Sequence, residues 1–155
     1  MPIRRADATW EGSLRWGHGE MNVTHSIPPG SKRLPYSFES RFRRGAGGNP
    51  EEMMGAALAG CYSMALAHQL TQRGFPPKGI WTKARVHLNE SRGDGFEITS
   101  IELETTGDVP GVGTLGFEEE AERALGVCPV ARAIETIPIR VSAQLKDETP
   151  ARHGD

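Results

Sequence analysis

Two cysteines, Cys61 and Cys128, are the residues of this chain best suited to covalent chemistry. They lie far apart with no C-x-x-C spacing, and the five histidines, His68 and His87 among them, are scattered. The ligand pattern of a zinc site is therefore missing, and no metal is expected. Two thiols without a metal have two readings. Free cysteine is among the most buried residue types, and Cys61 sits in a run of small apolar residues that suits a core. In a reducing compartment, by contrast, a disulfide between such a pair is transient and catalytic rather than structural. Charge stands nearby in sequence. The segment SRFRRGAGG carries Arg41, Arg43 and Arg44, and Glu51 and Glu52 follow Asn49-Pro50. If the segment is extended, Arg41 and Arg43 share one face and Phe42 takes the other; a solvated strand end is the simpler alternative. The two glutamates have an ordinary role as helix-start charges facing the positive end of the dipole.

The elements that must position these residues follow from periodicity and punctuation. Residues 6–14, 19–25 and 35–42 read as strands, because ATWEGSL and YSFESRF alternate apolar and polar side chains. Ile27 to Pro35 reads as a loop. Asn49 is a cap, Pro50 fits the first helical position, and Glu52 stands three after the cap as in a capping box. That helix runs to about Arg73, where Gly74-Phe75-Pro76-Pro77 ends it. Its middle, GAALAGCYSMALA, is small and apolar all round, which implies burial on every side; a second subunit is one way to supply it. Ile80–Glu90 and Phe96–Thr106 read as strands joined by SRGDG. Phe117–Leu125 is an amphipathic helix with Phe117, Ala121, Ala124 and Leu125 on one side. Cys128-Pro129-Val130 comes next, then a short helical segment through Glu135 and a last strand at Ile137–Lys146. The expected class is α+β, with one domain over 1–146 and a flexible tail at 147–155.

Composition narrows the functional classes. The 155 residues carry 18 Lys plus Arg against 20 Asp plus Glu, a net charge of −2, which argues against a nucleic-acid binder. Apolar residues make up 37% and aromatics 6%, lean for one compact monomeric core. Trp10 and Trp16 read as packing residues. The start MPIRRADATW lacks the apolar stretch of a signal peptide, and Met53 to Leu70 is too rich in small and polar residues for a membrane span. A cytoplasmic protein without membrane contact is expected.

The run NPEEMMGAALAGCYSMAL closely resembles the cysteine helix of the OsmC/Ohr family, the osmotically inducible and organic-hydroperoxide-resistance proteins. TWEG near the start, SRF before the Asn-Pro-Glu, and CPV after the second helix fall in the same order. The resemblance spans roughly residues 6–146, and the helix wording looks more like the OsmC branch. It implies antiparallel sheets wrapped around central helices in an intertwined homodimer. It also implies a peroxidatic Cys61, a resolving Cys128, an active-site Arg41, with Arg43 and Arg44 as its alternatives, and a Glu51 that pairs with it.

Elementary chemistry is consistent with those roles. Thiolate, not thiol, attacks a peroxide, and an ordinary cysteine is only a few per cent thiolate at neutral pH. A guanidinium favours the anion and stays charged in any pocket. A buried arginine needs a carboxylate, which Glu51 can offer bidentately. The resemblance then implies a Cys61 sulfenic acid, a Cys61–Cys128 disulfide and an external dithiol, of lipoylated-protein or small lipoyl type, as reductant, with no tightly bound cofactor. Glu51 and Cys61 are ten residues apart, about 15 Å along a straight helix. Either the helix breaks near Gly55 or Gly60, or the Arg41–Glu51 pair of one subunit meets the cysteines of the other; the second is expected. Phe42, Met53, Met54, Leu58, Phe75 and Ile80 are candidates for an apolar pocket that would favour organic hydroperoxides, with plain core as the alternative. A redox sensor or interaction protein using the same cysteine pair as a switch is the competing function.

Overall fold

Alternating side chains produce the first three strands of the computed structural model: β1 (Asp7–Glu11), β2 (His18–Asn22) and β3 (Leu34–Ser37). They pair antiparallel in the order β1-β2-β3. The structure describes residues 3–23, 33–93 and 95–146. Most of the expected loop at 27–35 and the expected tail at 147–155 therefore lie outside the described residues, although Leu34 and Pro35 belong to β3.

The third strand stops earlier than alternation suggests. Phe38–Phe42 is a short helix, α1, and the reason is local. The Ser37 side chain accepts from the Ser40 backbone N–H at 3.2 Å, and the Ser40 hydroxyl accepts from the Ser37 N–H at 2.9 Å. Such a reciprocal cap offers the backbone a better alternative than the ladder. The reading of Arg41 and Arg43 as neighbours on one strand face is thereby overturned. Arg41 occupies the last turn of α1, and Arg43 is its C-terminal cap.

The long helix α2 (Pro50–Gln72) begins and ends where the sequence signals it. Asn49 Oδ1 accepts from the backbone N–H groups of Glu51 at 2.9 Å and Glu52 at 3.1 Å. At the other end Gly74 takes a φ of +86°. Phe75 N–H donates to Leu70 O at 2.9 Å and Gly74 N–H to Thr71 O at 3.0 Å, the paired bonds of a Schellman cap that needs a left-handed residue. The helix passes Gly55 and Gly60 without a break.

Two long strands follow, β4 (Gly79–Glu90) and β5 (Phe96–Asp108), paired antiparallel with a register shift at His87/Leu88. Then come α3 (Thr114–Val127), α4 (Pro129–Ala133) and β6 (Ile139–Leu145). The second sheet has the order β4-β5-β6, and β6 lies parallel to β5. This sheet is mixed, not purely antiparallel, because α3 and α4 form the crossover that a parallel neighbour requires. The architecture is α+β. No helix among the described residues is long and apolar enough to cross a membrane.

By compactness the chain divides into residues 1–53 and 54–155. The hydrophobic core belongs to the second unit. Leu58, Tyr62, Leu66 and Leu70 of α2 are fully buried in one cluster with Ile101 and Leu103 of β5 and with Phe117, Ala121 and Ala124 of α3. The Tyr62 hydroxyl donates to Ala121 O at 2.8 Å, tying α2 to α3. Burial first, and then the charge of Glu122, pushes the Tyr62 phenol well above its ordinary range, so it remains a donor at any physiological pH. The opposite face of α2 is uncovered in a single chain: Ala57, Gly60 and Met64 are exposed, Met64 by 77%.

Packing at Gly107 of β5 gives a stability prediction. A Cβ there would stand 2.6 Å from two ring carbons of Phe117, which is fully buried and has no room to yield. Gly107→Ala should lower stability by about 1–3 kcal/mol. Gly126, exposed in α3 with nothing within 4 Å of an added Cβ, should respond oppositely, with Gly126→Ala gaining about 0.5–1 kcal/mol. Urea unfolding of both variants, with unchanged m-values, checks the pair.

Candidate active site

Cys61 lies on α2 beside the buried Tyr62 and is partly exposed; Cys128 is wholly buried. Cys128 is placed by α3, whose last turn receives its backbone N–H at Ala124 O, and it starts α4 with Pro129 at the first helical position. The two side chains meet. Cys128 Sγ donates to Cys61 Sγ across 3.0 Å, and both cysteines are free thiols. Burial, and then this hydrogen bond, pushes the Cys128 thiol above its ordinary range, while the N–H groups of Ala131 and Val130 act the other way. Cys128 thus keeps its proton and offers it to Cys61. The arrangement can form a disulfide after modest side-chain movement.

The second pair lies in the first unit. Arg41 Nη2 donates to Glu51 Oε1 at 2.6 Å, and Arg41 Nε reaches Oε1 at 3.1 Å and Oε2 at 3.3 Å. The Glu51 side chain is 10% exposed and that of Arg41 36%. A buried carboxylate is held by a forked cation whose outer edge meets solvent. The Arg41 guanidinium also lies 4.8 Å from the Phe42 ring centre. Arg43 pairs loosely with Glu39 at 3.5 Å, and Arg44 is exposed.

The apolar candidates separate. Leu58 is a fully buried core residue, and Met54, Phe75 and Ile80 pack against the same core. Phe42 differs, because it lines an open cleft of about 430 Å³ with Arg41, Phe38, Tyr36 and Trp10. The Trp10 and Tyr36 rings pack tilted at 5.4 Å and those of Phe38 and Phe42 at 5.1 Å, so Trp10 both packs and walls a cavity. Among the described residues no group of three or more His, Cys, Asp or Glu gathers to hold a metal.

One charged residue of α3 escaped sequence reasoning. Glu120 is buried among its acidic neighbours, and its Oε1 meets Arg123 at 2.7 Å and Arg73 at 3.3 Å. The available signal was its position: Phe117, Glu120 and Ala124 share the inward face at i, i+3 and i+7.

The difference in exposure between the two thiols leads to a labelling prediction. Brief treatment with iodoacetamide under native conditions should modify Cys61 well ahead of Cys128, and the preference should vanish in denaturant. Peptide mass mapping checks both.

The family described as OsmC-like protein matches residues 43–142. Peroxiredoxin OsmC of Escherichia coli (strain K12) is 36% identical over 143 residues, covering 92% of this chain and 96% of that protein. Among solved structures, an organic hydroperoxide resistance protein OsmC from Legionella pneumophila superposes with a TM-score of 0.66 at 21% identity, covering 95% of this chain and all of the other. The organic hydroperoxide resistance protein OhrB of Bacillus subtilis gives 0.64 at 21% identity, covering 92% and 98%. The fold is shared with both, and by sequence the chain belongs to the OsmC-like family, on its OsmC branch.

Proposed function

We propose that this protein is a thiol peroxidase that reduces organic hydroperoxides to alcohols. The observation that carries the reading is the Cys61–Cys128 pair at 3.0 Å, in a chain whose relative is named a peroxiredoxin. The Cys61 thiolate attacks the outer peroxide oxygen and breaks the O–O bond. An alkoxide leaves and takes a proton to become the alcohol, and Cys61 becomes a sulfenic acid. The Cys128 thiol then condenses with it, releasing water and forming the disulfide. An external dithiol, of lipoyl type on a protein or a small molecule, returns both thiols by two exchange steps and is itself oxidised. A reducing compartment such as the cytoplasm suits a pair that is reset on every cycle. Arg41 stabilises the thiolate and the departing charge, and Glu51 orients Arg41.

The site we propose is shared between two copies of the chain. Ten residues of helix correspond to about 15 Å of rise, which favours a site completed by a second copy over one closed within a single chain. In the proposed homodimer the Arg41–Glu51 pair of one subunit faces the cysteines of the other. The uncovered Ala57, Gly60 and Met64 supply small and apolar surface for a close helix contact. Phe42, beside Arg41 in the open cleft, is the apolar candidate best placed to favour an organic peroxide.

Consumption of cumene hydroperoxide with dihydrolipoamide should be rapid, should exceed that of hydrogen peroxide, and should fall to background in Cys61→Ser. Cys128→Ser should accumulate a sulfenic acid that dimedone traps. Arg41→Gln should cost roughly 10²–10³-fold in rate, the usual loss for one placed electrostatic donor. Oxidation of Cys61 without turnover would instead favour a sensor. Met64→Arg should shift sedimentation from dimer to monomer and lose turnover with it; an active monomer would defeat the shared site.

A further inference from the structure

Asn49 uses both ends of its carboxamide. Oδ1 accepts from the N–H groups of Glu51 and Glu52, at 2.9 and 3.1 Å, and so caps α2. Nδ2 points the other way and donates to Arg41 O at 3.0 Å, with Ser40 O at 3.4 Å. Two N–H groups on one side and two carbonyls on the other fix the amide's orientation, since a flip would set donor against donor. The result is a closed ring: Asn49 holds the Arg41 backbone, the Arg41 guanidinium holds Glu51, and the Glu51 N–H returns to Asn49.

A helix cap needs only an acceptor, which serine or aspartate supplies as well as asparagine. The donor half serves something else. Arg41 stands in the last turn of a five-residue helix, and its side chain is more than a third exposed, so the guanidinium stays in one place only if the backbone beneath it does. From this we infer that Asn49 is a positioning residue for the peroxidase reaction. Its Nδ2 donor fixes the last turn of α1 and so sets where the Arg41 charge stands. The inference rests on the role of Arg41 argued above, and in it Asn49 acts only through Arg41.

The test separates the two ends of the amide in the full-length chain. Asn49→Ser keeps a cap acceptor and loses the Nδ2 amide that reaches Arg41 O; Asn49→Asp does the same with an added charge. Both are compared with Arg41→Gln and with the double variant Asn49→Ser/Arg41→Gln. The readouts are the unfolding temperature and the pH dependence of first-turnover oxidation by cumene hydroperoxide. Asn49→Ser should unfold within about 3 °C of wild type. Its first turnover should slow by roughly three- to tenfold, the scale of one hydrogen bond, and its pH profile should move to higher pH. The double variant should be no slower than Arg41→Gln alone, because Asn49 acts through Arg41. If Asn49→Ser proves unstable, Asn49→Asp is read against the same criteria. A wild-type profile in the stable Asn49 variant, with Arg41→Gln slow, makes Asn49 a cap alone and leaves the peroxidase reading standing. Additive slowing in the double variant also overturns the inference. Arg41→Gln at wild-type speed removes the role of Arg41 and this inference with it.

Discussion

Burial of the Leu58–Tyr62–Leu66–Leu70 stripe is the constraint on which the cysteine pair depends. Each fully buried side chain of this size contributes about 1.5–3 kcal/mol, so the four together hold α2 firmly in rotation. A repeat of four residues winds around a helix of 3.6 per turn by about 40° at each step. The stripe therefore crosses α2 obliquely, and α2 can meet both β5 and α3. Cys61 precedes Tyr62 and lies about 100° around the helix from it, at the margin of the core. The Tyr62–Ala121 hydrogen bond brings α3 alongside, and the end of α3 delivers Cys128.

The first unit is organised on another basis. Among its described residues the buried side chains with chemistry are Ser40 and Glu51, and no large apolar side chain is fully buried. Capping bonds, the Ser40 hydroxyl donating to Gly48 O at 2.7 Å, the Gly48 N–H donating to Pro35 O at 2.6 Å and the Arg41–Glu51 fork hold it together. Three short strands with little buried apolar surface are marginal as a free-standing sheet. Polar bonds, however, are directional where apolar contacts are not, which suits a segment whose proposed task is to aim the Arg41 charge rather than fill a volume.

How much of this was legible in the sequence depended on how local each cause was. α2 declared both of its ends through Asn49-Pro50 and Gly74, and the four residues with proposed roles were found by resemblance to a family motif. Of those four, the structure brings Arg41 to Glu51 and Cys61 to Cys128. Helix α1 was missed because YSFESRF satisfies the period of a strand, while the Ser37–Ser40 cap that decides otherwise is a three-dimensional bond. The parallel pairing of β6 was invisible because strand direction is set by the crossover, not by the strand's own residues. Glu120 was hidden among neighbouring acids, where composition announces solvent and only position announces burial.

The parallel crossover has a consequence in the time domain. A hairpin partner can zip up from its turn, but β6 must wait for α3 and α4 to close over the sheet, and non-local closure is the slow part of building a fold. Cys128 sits inside that crossover, while Cys61 belongs to a helix made much earlier in the chain. During synthesis, which runs from the N-terminus, the segment carrying Cys61 is made well before the one carrying Cys128. The two sulfurs, 67 residues apart in sequence, meet only once α3 has docked on α2. A chain in which that docking has not occurred carries two thiols out of each other's reach.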